Sequence, residues 1–172
     1  MKRRTLIGAV LGLTAAPTLA ASHSLYGQWV AYRQKHLLIG CYRGDDVGFE
    51  LAKSLQVALD VELPEASARV ARAPFPGRLA RLLGTDQIPT AVLLPEIALG
   101  IAAGEGEFAP YGAVPLNVVA QVNDHLLVSR ADFPEHHGAL VFAALESSGM
   151  VRLPDANLAG LAVHPGVPTH LH

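Results

Sequence analysis

Three short apolar runs, each followed by a turn and then by a helical pattern, constrain this chain more than any other feature. Residues 37–41, Leu-Leu-Ile-Gly-Cys, form a continuous apolar run of the length that a strand buried on both faces needs. A polar turn follows, Tyr42-Arg43-Gly44-Asp45-Asp46, and Val47, Leu51, Leu55 and Leu59 then recur at every fourth position. That spacing predicts one face of a helix with Asp46 as its N-cap. A second cycle has a strand over residues 67–73, a loop at Phe75-Pro76-Gly77 and a short helix over 76–83, with Leu79, Leu82 and Leu83 inward and Gly84 as the stop. The third has a strand over 90–94, Pro95 in the first helical turn, Ile97 and Ile101 on one face, and Gly104 as the stop. Three consecutive cycles of this kind imply parallel strands joined by right-handed crossovers.

Past the Gly- and Pro-rich residues 104–115 the period changes. Leu116, Val118, Ala120 and Val122 alternate, and an apolar run over 125–129 follows Asn123-Asp124. This predicts a hairpin, because Asn and Asp tolerate the positive φ of a tight turn. Asp132-Phe133-Pro134-Glu135 has capping-box spacing ahead of Leu140, Val141, Ala144 and Leu145, which predicts a late helix. The Pro- and Gly-rich C-terminal stretch is expected on the surface. The expected fold is an α/β three-layer domain with a mainly parallel sheet over residues 36–166, followed by a tail over 167–172.

Composition narrows the function classes. With 51% hydrophobic residues and a net charge of −2 over 172 residues, the chain is a globular one, not a disordered one. It has no clustered basic footprint, so nucleic acid is not an expected partner. Residues 1–20 fit an export signal: Lys2, Arg3 and Arg4, then an apolar run too short to span a bilayer, then a small-residue cleavage site at Thr18-Leu19-Ala20. Arg3-Arg4-Thr5-Leu6-Ile7 also fits a twin-arginine address, and an ordinary secretory signal or an uncleaved anchor are the other readings of the same residues. A periplasmic location follows from export. Loss of residues 1–20 lowers Lys plus Arg from 13 to 10 against 15 Asp plus Glu, a net of −5. Residues 21–35, with Trp29 and Tyr32 among polar neighbours, form either a spacer or a short helix. The lone Cys41 has no internal disulfide partner, so burial is its expected state.

In a parallel sheet the ligand crevice lies beyond the carboxyl ends of the strands, where loops present backbone N–H groups at helix N-termini. Three loops meet that condition: residues 42–46, 74–77 and 94–96. The candidate ligand-binding residues are Tyr42, Arg43, Asp46, Phe75, Pro76, Gly77 and Glu96. Free amides and Arg43 suit a carboxylate, whereas Asp45, Asp46 and Glu96 would repel a bare anion. An amino-acid-like or other zwitterionic solute reconciles the two. Ordinary capped helix starts with solvated charges explain the same spacing.

Other chemistry has less support. Cys41 as a nucleophile would need a nearby base such as His36 or His125, and a small buried thiol is the simpler reading. His136 and His137 are expected on different sides of a helix, and His164, His170 and His172 lie near the C-terminus, so no designed metal site is expected. No phosphate-binding fingerprint, nucleophile elbow or zinc-protease motif is present. The expectation is binding without covalent chemistry, without a cofactor and without enzyme activity.

Four separated stretches resemble the TAXI branch of solute-binding proteins that serve TRAP transporters. Residues 37–48 with the following helix resemble the family's opening motif, and residues 78–97 its short helix leading to a buried strand and a ligand-contacting turn. Leu126-Leu127-Val128-Ser129-Arg130-Ala131-Asp132-Phe133-Pro134-Glu135 resembles the segment before its late helix, and Val163-His164-Pro165-Gly166 its C-terminal motif. The resemblance implies one lobe of a periplasmic solute-binding protein, with residues 104–115 standing where the family crosses into a second lobe. It also implies a small-molecule solute and TRAP membrane subunits as partners. A single lobe exposes a face that would otherwise meet its twin, so a homodimer or a sensory accessory role using that face as a protein interface is the alternative.

Overall fold

A computed structural model of the chain describes residues 35–154 and 160–168. The expected export signal, most of the spacer and the last four residues lie outside that range. The elements are β1 (Leu38–Tyr42), α1 (Asp46–Glu62), β2 (Arg69–Ala73), α2 (Pro76–Gly84), β3 (Thr90–Leu93), α3 (Pro95–Ala103), β4 (Leu116–Val122), β5 (His125–Arg130), α4 (Glu135–Ser147) and β6 (Ala162–Val163). The six strands form one sheet in the order β2-β1-β3-β5-β4-β6. β1 pairs in parallel with both β2 and β3, β5 runs antiparallel to β3 and β4, and β6 is parallel to β4. The expected α/β three-layer architecture with a mainly parallel sheet is the observed one.

The layers follow from the strand alternation. In β1, Leu38 and Tyr42 join one apolar cluster, and Ile39 and Cys41 join the other. From β1 the chain steps outward to β2 and then returns past β1 to β3, and the two crossover helices take opposite faces. Leu79 and Leu83 of α2 and Ile101 of α3 pack on the first face; Leu55 and Leu59 of α1 and Phe142 and Leu145 of α4 pack on the second.

Several local expectations differ from the structure. The cap of α1 is Asp45, whose Oδ1 accepts from the Gly48 N–H at 2.7 Å, and Asp46 is the first helical residue. With the helix phased this way, Ala52, Leu55, Ala58 and Leu59 face inward and Val47 is 62% exposed. Leu140 is likewise turned outward on α4. The capping box of α4 does not form: Pro134 is the N-cap without a side-chain bond, because Arg130 holds the Asp132 carboxylate. In β4 a bulge between Val118 and Ala120 breaks the alternation. Leu116 and Val118 therefore belong to the first cluster, and Ala120 and Val122 to the second.

The largest difference is at the C-terminus, expected on the surface. β6 pairs with β4, the His164 N–H donates to the Val118 carbonyl at 2.8 Å, and Leu161, His164 and Val167 are buried. Val167, the first residue of the expected tail, packs in the second apolar cluster. His164 has both ring nitrogens bonded: Nε2 donates to the Phe133 carbonyl at 3.0 Å, and Nδ1 accepts from the Gly166 N–H at 3.1 Å. A Cβ on Gly138 would lie 2.2 Å from this ring, and one on Gly166 would lie 2.0 Å from the Glu135 carbonyl oxygen. The two segments 126–135 and 163–166 thus lock against each other through backbone contacts.

Candidate functional site

Because β2, β1 and β3 are adjacent and parallel, the loops that leave them open on one rim of the sheet. The chain reverses its direction of travel across the sheet at β1, so the loops after β1 and β3 flank a topological switch point. The turn after β5 is not at this rim, but the start of β5 is, since β5 is antiparallel to β3 with Leu93 opposite Leu126. Asn123, at φ 54°, makes the hairpin turn that delivers His125 there.

The rim is built around Asp45 and His125. His125 Nε2 lies 2.9 Å from Asp45 Oδ2, and both side chains are buried. A carboxylate can only accept, so Nε2 carries the hydrogen. Asp45 therefore serves two donors at once, the α1 amide of Gly48 and the imidazole. The opposite ring nitrogen, Nδ1, is buried without a hydrogen-bond partner among the described residues. Sequence reading missed this pair. The spacing puts the cap on Asp46, one residue late, and only the hairpin register brings a residue 80 positions away onto Asp45.

The other rim residues divide into two sets. Tyr42 is buried, and its hydroxyl pKa is raised first by burial, then by the carboxylates of Asp45, Glu96 and Glu107. The acidic groups of the loops after β1 and β3 and of the 3-10 turn at Gly106–Tyr111 thus share one neighbourhood. Glu96 is exposed in the first turn of α3, which starts without a side-chain cap. At α2 the N-cap Phe75 is extended and half exposed, Pro76 occupies the first turn, and no side chain caps the amides. Gly77 lies directly beneath Tyr111: a Cβ there would come within 2.5 Å of the Tyr111 ring. Tyr111 and Glu107 come from the Gly- and Pro-rich stretch that has no periodic signal.

Asp46 points away from that group. Its carboxylate accepts from Arg72 Nη2 at 2.8 Å, and the Arg72 guanidinium lies 4.2 Å above the Phe49 ring centroid. Arg43 is exposed, with its backbone N–H bonded to the Ala73 carbonyl.

Cys41 is fully buried, its Sγ donating weakly to the Ala71 carbonyl at 3.9 Å. Burial is the main cause that pushes its thiol pKa up to about 11, so at neutral pH the thiolate is scarcely populated. His136 and His137, expected on different sides of their helix, have ring centroids 4.1 Å apart. Burial, and secondarily His136, lower the His137 pKa. Among the described residues no three potential metal ligands cluster, and no helix is long and apolar enough to cross a membrane. His170 and His172 lie outside the described residues. No protein-family model matches the chain, and no curated protein matches it.

Proposed function

We propose that this chain is an exported, single-lobed protein of the TAXI solute-binding kind that holds a small amino-acid-like or carboxylate solute at the β1/β3 rim without covalent chemistry. The observation that supports this most is the opening of three parallel strand-to-helix junctions on one rim, with a switch point between β1 and β3. Asp45 satisfies the Gly48 amide of α1; α2 and α3 open on Pro76 and Pro95, and the Arg78 and Ile97 amides bond the Phe75 and Leu94 carbonyls, so the amides these two helices offer a carboxylate are those of Gly77 and Glu96. Arg43 adds positive charge, and the acidic groups around the Tyr42 hydroxyl receive an ammonium. This arrangement favours a zwitterion over a dicarboxylate.

An open lobe leaves much of a solute in water, which limits affinity. Calorimetric titration of glycine, alanine, glutamate and succinate at millimolar concentrations tests the reading. Heat from the amino acids that is weakened by Arg43→Ala is expected. No heat from any of the four rejects the proposal.

A second reading has its own observation. Phe75 and Tyr111 are 50% and 37% exposed at this rim, so aromatic surface meets solvent beside Gly77. Such rings suit a protein partner, either a transporter subunit or a second copy. Light scattering after size exclusion separates the two readings: a dimer that Phe75→Ser dissociates, and that solutes leave unchanged, favours the interface.

A further inference from the structure

We propose that the cavity at the opposite end of the sheet is the seat of the chain's own residues 24–34, with Trp29 filling it. The cavity has a volume of about 380 Å³, and its wall includes Leu63, Pro89, Phe133 and Leu140 together with the polar Glu65 and His137. Leu140 is 51% exposed, an aliphatic side chain left in water at the mouth of a concave apolar surface. Lys35, the first described residue, lies in the cavity wall with helical backbone, and His36 lies beside it. The preceding chain therefore enters at the cavity mouth.

Its sequence suits the seat. Leu25, Trp29 and Tyr32 are spaced i, i+4, i+7, one face of a helix, and the same spacing continues to His36 in the cavity wall. Trp29 is six residues from Lys35, which is about 9 Å along a helix and at most about 20 Å extended, so it reaches the cavity in either form. A buried Trp or Tyr removes roughly 150–250 Å² from water, ample to cover Leu140. A tethered segment also acts at an effective concentration on the order of millimolar, which a second copy or a free solute has to exceed.

Trp29 is the single tryptophan of the chain, so its emission reports this seat directly. In the full-length protein, short-wavelength emission and poor quenching by acrylamide are expected. Leu140→Arg should shift emission to the red and raise quenching several-fold, with the far-ultraviolet dichroism unchanged. Leu140→Gln should move both readings the same way and decides the matter if the arginine variant fails to fold. Solvent-like Trp29 emission in the unmodified chain overturns the proposal. So does a protected Trp29 indifferent to both substitutions, or one whose protection disappears on dilution, which would place the segment on a second copy.

Discussion

Each end of the sheet holds a buried histidine, and the two are treated differently. At the end opposite the rim, His164 is bonded at both nitrogens to backbone groups and is packed against Gly138. At the rim, His125 has one nitrogen on a carboxylate and the other without a partner among the described residues. Backbone partners are fixed by the fold, whereas Asp45 is a side chain with a second duty at the α1 cap. A buried polar atom without a partner is costly and uncommon. Ser129 Oγ, toward the His164 end, also lacks a partner among the described residues, so the contrast lies in the two histidines: one is fixed by backbone groups, and the other leaves a ring nitrogen unmet where the rim loops gather. The contrast teaches that residues 133–138 and 163–166 make the lock, whereas the rim forms where β5 begins.

Substitutions can break this contrast. The largest loss is expected from Gly166→Ala, since its Cβ would collide with the Glu135 backbone, which cannot yield as a flexible side chain would. A destabilisation of about 3 kcal/mol is expected in urea unfolding, at the upper end for overpacking. Asp45→Ala should cost about 2–3 kcal/mol, because it removes an N-cap and strands the His125 Nε2 hydrogen. Asp45→Asn sharpens the comparison. The amide still caps Gly48, but its remaining group donates, which forces the imidazole hydrogen onto the partnerless Nδ1. A loss of about 1–2 kcal/mol is expected, intermediate between Asp45→Ala and the unmodified chain. Equal stability of Asp45→Asn and the unmodified chain would show that Nδ1 finds a partner.

The same contrast shows why the fold was legible and the site only in part. Local periodicity located β1, β3, the hairpin and all four helices, because each depends on neighbours within about a turn or a strand pair. The positive φ of Asn123 and the stop at Gly104 were likewise local. Features that depend on partners distant in sequence were not visible. Val118 and Ala120 change faces through a bulge, Asp132 is taken from its cap by Arg130, and residues 161–167 look like loop until β4 receives them. At the rim, the positions of the three loops followed from the βα rhythm. The Asp45–His125 pair and the Tyr111 ring over Gly77 required the assembled sheet.

Alkaline pH probes β1 just below the rim. Because burial raises the Cys41 thiol pKa to about 11 from an ordinary 9.0, the unfolded chain releases this proton first as pH rises. The contribution of this thiol to stability is therefore full below pH 9.0, and is lost between there and about 11. Denaturant midpoints across that range should decline for the unmodified chain, and Cys41→Ala should remove this part of the decline. A Cys41 alkylated as fast in the native chain as in urea would contradict its burial.

The smallest effect is expected at the end opposite the rim, on Asp132. The hydrogen bond from Arg130 is the main cause that holds its carboxyl below the ordinary 3.8. A depressed carboxylate stabilises the fold above the unfolded value and loses that contribution as pH falls through the folded one. Asp132 is 67% exposed, so solvent and salt screen most of the pair's worth. Asp132→Asn should therefore flatten the acid limb of a stability profile below pH 3.8 only slightly, and added salt should erase the difference. A large, salt-resistant effect would mean that Arg130, which also bonds the Leu83 carbonyl and Asp86, depends on Asp132 to hold the start of α4 against the sheet. In that event the lock would extend beyond His164 and its glycines to a charged side chain, and the difference between the two ends would lie in solvent access, not in the kind of partner.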